Sequence, residues 1–194
     1  MSVIRTFIAI ALPAPLQQKL DEAAGLLKNN QTRAIRWVAG KNIHLTLKFL
    51  GEVDSNKIAA ISQVIQAESQ PIKPFELSVG GAGAFPSLRK PRVVWIGVQA
   101  PQVLAGLASA IDRGTQSLGF PGEDRPFSPH LTLGRVSQNA SPQEVQSIAQ
   151  VLLNATIGKL GSFTVNQVTL FRSDLQPKGP VYTPLFTCAL GNLP

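Results

Sequence analysis

One cysteine, one methionine, one tyrosine, two tryptophans and two histidines are the scarce residues of this 194-residue chain. A single thiol, Cys188, excludes a disulfide framework and any cysteine-based zinc cluster, and it suits a reducing, cytoplasmic setting. Only 15% of the residues are charged and no run of like charges occurs, which argues against a polybasic tail. No apolar stretch approaches the roughly 18 residues needed to span a membrane, so no membrane partner is expected. Phe7 to Leu12 behind Arg5 imitates a signal-peptide core. It is short, is followed by Pro13 and Pro15, and reads better as a buried strand. What is present is a 44% hydrophobic chain with 18 Lys plus Arg against 11 Asp plus Glu, a formal charge of +7. That combination predicts a compact core with a local bias toward an anionic ligand.

Period-two and helical spacings alternate along the chain. Thr6 to Leu12, Ile43 to Leu50 (closed by Gly51), Phe75 to Val79, Val93 to Val98, His130 to Val136, Phe163 to Phe171 and Tyr182 to Leu190 read as strands. Ala14 to Leu27, a segment carrying Ile58, Ile61 and Ile65 capped by Asp54 or Ser55, and Val103 to Leu118 read as helices. A further helix follows the capping box Ser141-Pro142-Gln143-Glu144. The stretch from Gly80 to Arg92, with Gly81, Gly83, Pro86, Arg89 and Lys90, reads as a mobile loop. Placing Phe7 on Val94, His44 on His130 and Phe75 on Phe163 gives offsets of 87, 86 and 88, the mark of an internal duplication. The expected architecture is α+β and bilobal with a pseudo-two-fold: two antiparallel-type sheets, helices outside, the active site in the cleft between lobes. Residues 1–194 form one domain of two repeats, approximately 5–91 and 92–190, with strands exchanged between lobes.

Both histidines occur in one tetrapeptide, His44-Leu45-Thr46-Leu47 and His130-Leu131-Thr132-Leu133. At ordinary residue frequencies, Leu-Thr-Leu after the only other histidine has a chance of roughly one in two thousand. In a strand the leucines point one way and His and Thr the other, about 6.6 to 6.8 Å apart. Packing explains the leucines but not the outward pair. Two facing lobes would set two imidazoles and two hydroxyls around one cavity. That is the equipment for in-line cleavage of a phosphodiester, with a base on one side and an acid on the other. The hydroxyls would hold the non-bridging oxygens. No cofactor or metal is called for, because Asp54, Glu123 and Asp124 have no ligand spacing with the histidines. The competing reading is a module that binds RNA ends or nucleotides without catalysis.

The segments Asn42 to Val53 and Arg125 to Arg135, with the opening Arg5 to Ile10 and the closing Tyr182 to Leu185, resemble the 2H phosphoesterase superfamily across the whole chain. Within it they are similar to the RNA 2′,3′-cyclic phosphodiesterases, also called 2′-5′ RNA ligases. The resemblance implies metal-independent opening of a 2′,3′-cyclic phosphate at an RNA end, or on a small cyclic nucleotide, to a 2′-phosphate. Reversible 2′-5′ ligation is the alternative. By the resemblance His44 is the proton donor and His130 the proton acceptor, with Thr46 and Thr132 on the phosphate. The residues alone leave the order of the two histidines open.

Arg125, braced by a Pro turn, suits a phosphate or is a solvated arginine. Arg135 has the parity of Leu133, so a salt-bridge role competes with a phosphate-binding one. Lys48 shares the His44 face as a solvated charge; Tyr182, Phe127 and Trp95 could stack on a base or pack in the core. Trp37 and Phe49 are assigned to packing. A site complete in one chain implies no obligate protein partner.

Overall fold

The computed structural model describes residues 2–177 and 179–191; the expected domain limits 1 and 194 lie outside these. Nine strands are present among them: β1 (Val3–Ala11), β2 (Ile35–Trp37), β3 (His44–Asp54), β4 (Phe75–Ser87), β5 (Lys90–Gln99), β6 (His130–Val136), β7 (Lys159–Val165), β8 (Gln167–Gln176) and β9 (Gly179–Ala189). Four α-helices join them: α1 (Ala14–Leu27), α2 (Ile58–Ser69), α3 (Gln102–Gln116) and α4 (Pro142–Asn154).

The strands form two sheets, β3-β1-β8-β9 and β2-β6-β5-β4-β7, and every pairing is antiparallel. β1 lies inside the first sheet, and Thr6 to Ile10 are buried on both faces. This is why the segment is a continuous apolar run rather than an alternating one. Helices α2 and α3 pack on the first sheet, while α1 and α4 pack on the second. One apolar cluster, with Leu45, Leu47, Leu131 and Leu133 in it, lies behind the strands. The opposite sheet faces are left for the cleft.

Each repeat sends a strand to the other lobe. β4 follows α2 but belongs to the second sheet, and β8 follows α4 but belongs to the first. Register gives one constant offset. Phe7 pairs with Phe49 and Phe171, Val93 with Arg135 and Phe85, and each equivalent pair is 86 residues apart. The expected partners are corrected accordingly. Phe7 corresponds to Val93, not Val94. Phe163 lies in β7, which pairs with the strand of Phe75, and the true third match is Phe85 with Phe171.

Other expectations also need correction. The Gly/Pro stretch is no mobile loop, because residues 80–87 continue β4, with Gly80 paired to β7 and Ala82 to Ser87 paired to β5. Its glycines permit close approach: a Cβ on Gly83 would run into the Trp95 ring. The strand expected from Phe163 to Phe171 is two strands, broken at Asn166. Gly51 does not end β3; its φ of 71° carries the strand through a bulge to Asp54. A 3-10 turn at Ser55–Lys57, without a side-chain cap from Asp54, precedes α2. The capping box of α4 forms as expected, with Ser141 Oγ accepting from Glu144 N–H.

Candidate active site

His44 and Thr46 begin β3, and His130 and Thr132 begin β6. The two strands meet where the sheets approach each other. All four residues are partly exposed, whereas Leu45, Leu131 and Leu133 are at most 1% exposed. The alternation read from the sequence therefore holds through these tetrapeptides.

Each imidazole is held in the same way. His44 Nδ1 lies 2.9 Å from the Asn42 carbonyl, and His130 Nδ1 lies 2.8 Å from the Ser128 carbonyl, two residues upstream in both cases. A carbonyl only accepts, so each Nδ1 carries the hydrogen and each Nε2 is left for chemistry.

The surroundings of the two rings differ. His44 stacks on Phe7 at 4.4 Å and 24°, with Tyr182 edge-on at 5.2 Å; Phe171 extends the stack behind Phe7. His130 meets Phe85 edge to face, at 4.9 Å. Burial lowers the His44 pKa to about 4, against the raising effect of the Asn42 hydrogen bond. The phenol of Tyr182 is raised by burial, an effect opposed by the nearby Arg135 and Arg5 guanidinium groups.

A sequence profile described as "LigT like Phosphoesterase" matches residues 10–95 and again residues 96–182. The chain belongs to this family. The RNA 2′,3′-cyclic phosphodiesterase of Methanothermobacter thermautotrophicus is 35% identical over 182 residues, covering 94% of this chain and 96% of its own. That of Archaeoglobus fulgidus is 34% identical over 94% and 98%. E. coli LigT complexed with 3′-AMP superposes with a TM-score of 0.78 at 33% identity, covering 97% and 99% of the two chains. The protein is thus a phosphoesterase of the 2H superfamily with the duplicated two-sheet fold. Among its described residues no helix is long and apolar enough to cross a membrane.

In this phosphoesterase the positions just beyond the tetrapeptides differ from the simple alternation. Ile8 pairs with Lys48 and Ala9 with Thr46, so Leu47 is an extra residue; Val94 pairs with Gly134 and Trp95 with Thr132, so Leu133 is another. A bulge at the same place in both repeats reverses the parity that follows. Lys48 is therefore no solvated charge but 2% exposed, and Phe49, assigned to packing, is 55% exposed. Arg135 is exposed on the cleft side near Tyr182, not on the leucine side.

The ammonium of Lys48 donates to Asp112 Oδ1 and to the Pro121 carbonyl, both at 2.5 Å, with Glu123 at 3.7 Å. Asp112 received no role from the sequence; its partner is 64 residues away. Arg125 is exposed and Phe127 half-buried, and both line a cavity of about 320 Å³ that reaches Thr46. Trp95 lies against Gly83 and Phe85, and Trp37 packs on the core.

The depressed His44 pKa makes a stability prediction. Between its unfolded value of about 6.5 and its folded value of about 4, the unfolded chain binds a proton here that the folded chain refuses. Stability is therefore lost as pH falls through that window. Urea denaturation at pH 7 and pH 4.5 should show a smaller acid-induced loss in His44→Gln than in the parent, by about 2–3 kcal/mol. Equal losses would mean that His44 titrates normally.

Proposed function

We propose that this phosphoesterase opens 2′,3′-cyclic phosphate ends of RNA to 2′-phosphates, using two histidines and no metal or other cofactor. The observation that carries the reading is the matched pair of imidazoles, each with Nδ1 tied to the carbonyl two residues upstream and Nε2 left available. Support also comes from the relatives, which carry the name RNA 2′,3′-cyclic phosphodiesterase.

In this mechanism His130 Nε2 takes a proton from water as its oxygen attacks phosphorus. The bond from phosphorus to O3′ breaks on the opposite side, and His44 Nε2 protonates the departing O3′. The product carries a 2′-phosphate and a free 3′-hydroxyl. Thr46 and Thr132 donate to the non-bridging oxygens as they gather charge.

Burial favours neutral His44 near pH 7, so the proton it gives to O3′ is taken up from solvent as the anionic substrate binds. The anionic phosphodiester favours the imidazolium, and desolvation of the pair strengthens that attraction.

An RNA oligonucleotide bearing a 2′,3′-cyclic phosphate tests the reading. Phosphorus NMR of the reaction should show a 2′-phosphomonoester as the sole product, formed at the same rate in EDTA. A 3′-phosphate, a joined RNA or dependence on added metal would overturn it.

A further inference from the structure

Although the two Nδ1 atoms are held alike, only His44 lies under a covering strand. β3 and β9 are the two edges of the first sheet, yet the 3-10 turn Gly40–Asn42 that leads into β3 touches β9. The twisted sheet curls around its cleft face to bring them together. The contact is a hydrogen bond: the Asn42 side-chain amide donates to the Pro180 carbonyl at 3.0 Å, across 138 positions of chain. A carbonyl only accepts, so the amide turns its nitrogen toward β9. The backbone carbonyl of the same residue accepts from His44 Nδ1.

Asn42 thus grips both the imidazole and the strand that covers it. Two positions beyond Pro180, Tyr182 sets its ring edge-on to His44 at 5.2 Å and to Phe7 at 4.9 Å. The turn has a fixed base, because Gly40 N–H donates to Asp21 Oδ1 of α1 at 2.8 Å. This end of β9 has less support of its own. β1 pairs with β8 only as far as Arg172, so the part of the β8–β9 hairpin holding Pro180 and Tyr182 extends past its neighbour.

The second repeat lacks this latch. Ser128, the match of Asn42, offers the same carbonyl to His130, but its exposed hydroxyl has no hydrogen-bond partner among the described residues. β7 stops pairing with β4 at Gly80, short of the Phe85 that touches His130. Among the described residues no counterpart of β9 therefore runs past the second imidazole.

We propose that Asn42 is a positioning residue: its amide draws β9 over His44 and so decides which of two like imidazoles becomes the sheltered proton donor. The proposal rests on the phosphodiesterase reading above and adds to it the cause of the division of labour. Burial, the first cause of the low His44 pKa, agrees with such a cover. The charged and titratable groups facing this corner are Arg5 on β1, Tyr182 on β9 and Arg135 on β6. Arginine keeps its charge at every pH used below, and burial moves the phenol upward, away from that range.

The test is Asn42→Ser, which gives the first repeat the side chain of the second and leaves the backbone carbonyl in place. A proton NMR titration of the two histidine rings, assigned with His130→Gln, reads the cover directly. His44, at about 4 in the parent, should titrate about one pH unit or more higher in the variant, as water reaches the ring. Tyr182→Ala, which removes the covering ring and keeps Asn42, should move it the same way. On a 2′,3′-cyclic RNA end the kcat of Asn42→Ser should fall about tenfold or more with KM little changed. A nitrophenyl diester, whose leaving group needs no proton, should keep most of its rate, whereas a general loss of structure would slow both esters. An unmoved His44 titration in both variants, or equal kcat losses on the two esters, would overturn the positioning role. A parent that hydrolyses neither ester, with the titration moving as expected, would defeat the phosphodiesterase reading and leave the covering role of Asn42 standing.

Discussion

Alanine at His44 or at His130 is expected to lower hydrolysis of a 2′,3′-cyclic RNA end by about 10²–10⁴-fold, the usual reach of a positioned acid or base. Each change removes an Nε2 whose tautomer is set by a backbone carbonyl, and no other imidazole exists in the chain to replace it. The double variant should be little worse than the poorer single one, because acid and base act on one transition state. A diester with a nitrophenolate leaving group separates the roles. Such a group departs without a proton, so His44→Ala should lose much less on it than His130→Ala. Saturating kcat values check both points; single variants that each keep parental activity on the RNA end would sink the mechanism.

Lys48→Met should destabilise the fold by about 1–3 kcal/mol, the cost of taking the cation from a partly buried, hydrogen-bonded carboxylate. The lysine ties β3, which carries His44 and Thr46, to α3 through Asp112 and to the loop before β6 through the Pro121 carbonyl. With Lys48 gone, Asp112 keeps the N–H of Glu123 and the amide of Gln116 but loses its cation. Burial pushes the Asp112 carboxyl up, and the hydrogen bond from Lys48 with its other donors overcomes this and holds it below its ordinary value. The variant should therefore lose less stability than the parent on mild acidification, because less of its stability depends on an ionised Asp112. Lys48→Met combined with Asp112→Leu should recover most of the loss, since replacing both charges by apolar groups is often nearly neutral. Urea denaturation measures all three proteins, and a single variant as stable as the parent would show the pair to be idle.

Local sequence carried what is encoded locally. The apolar spacing of α1 and the capping box of α4 mark helices that form over the expected residues. His-Leu-Thr-Leu alternates as read because the leucine face must be buried. The misread positions depend on partners distant in the chain. Nothing in Leu47-Lys48-Phe49 announces a bulge; it arises from the register against Ile8 and Ala9. One extra residue in each repeat, Leu47 and Leu133, then reversed the reading of Lys48, Phe49 and Arg135. Glycines in β4 resembled loop punctuation, yet Gly83 is small because Trp95 lies over it. Asp112 could not be found without α3 placed against β3.

The repeated bulge also has a consequence for how a nucleic acid strand is told front from back. A cradle with perfect two-fold symmetry would accept a cyclic phosphate facing either way, with O3′ toward either imidazole. The matched positions after the bulge hold Lys48 and Phe49 in one repeat and Gly134 and Arg135 in the other. One mouth of the cleft thus presents a ring and the opposite mouth a cation. Two orientations of the same ester then differ in energy, and a duplicated protein gains a polarity that its ancestral half, paired with an identical copy, could not express.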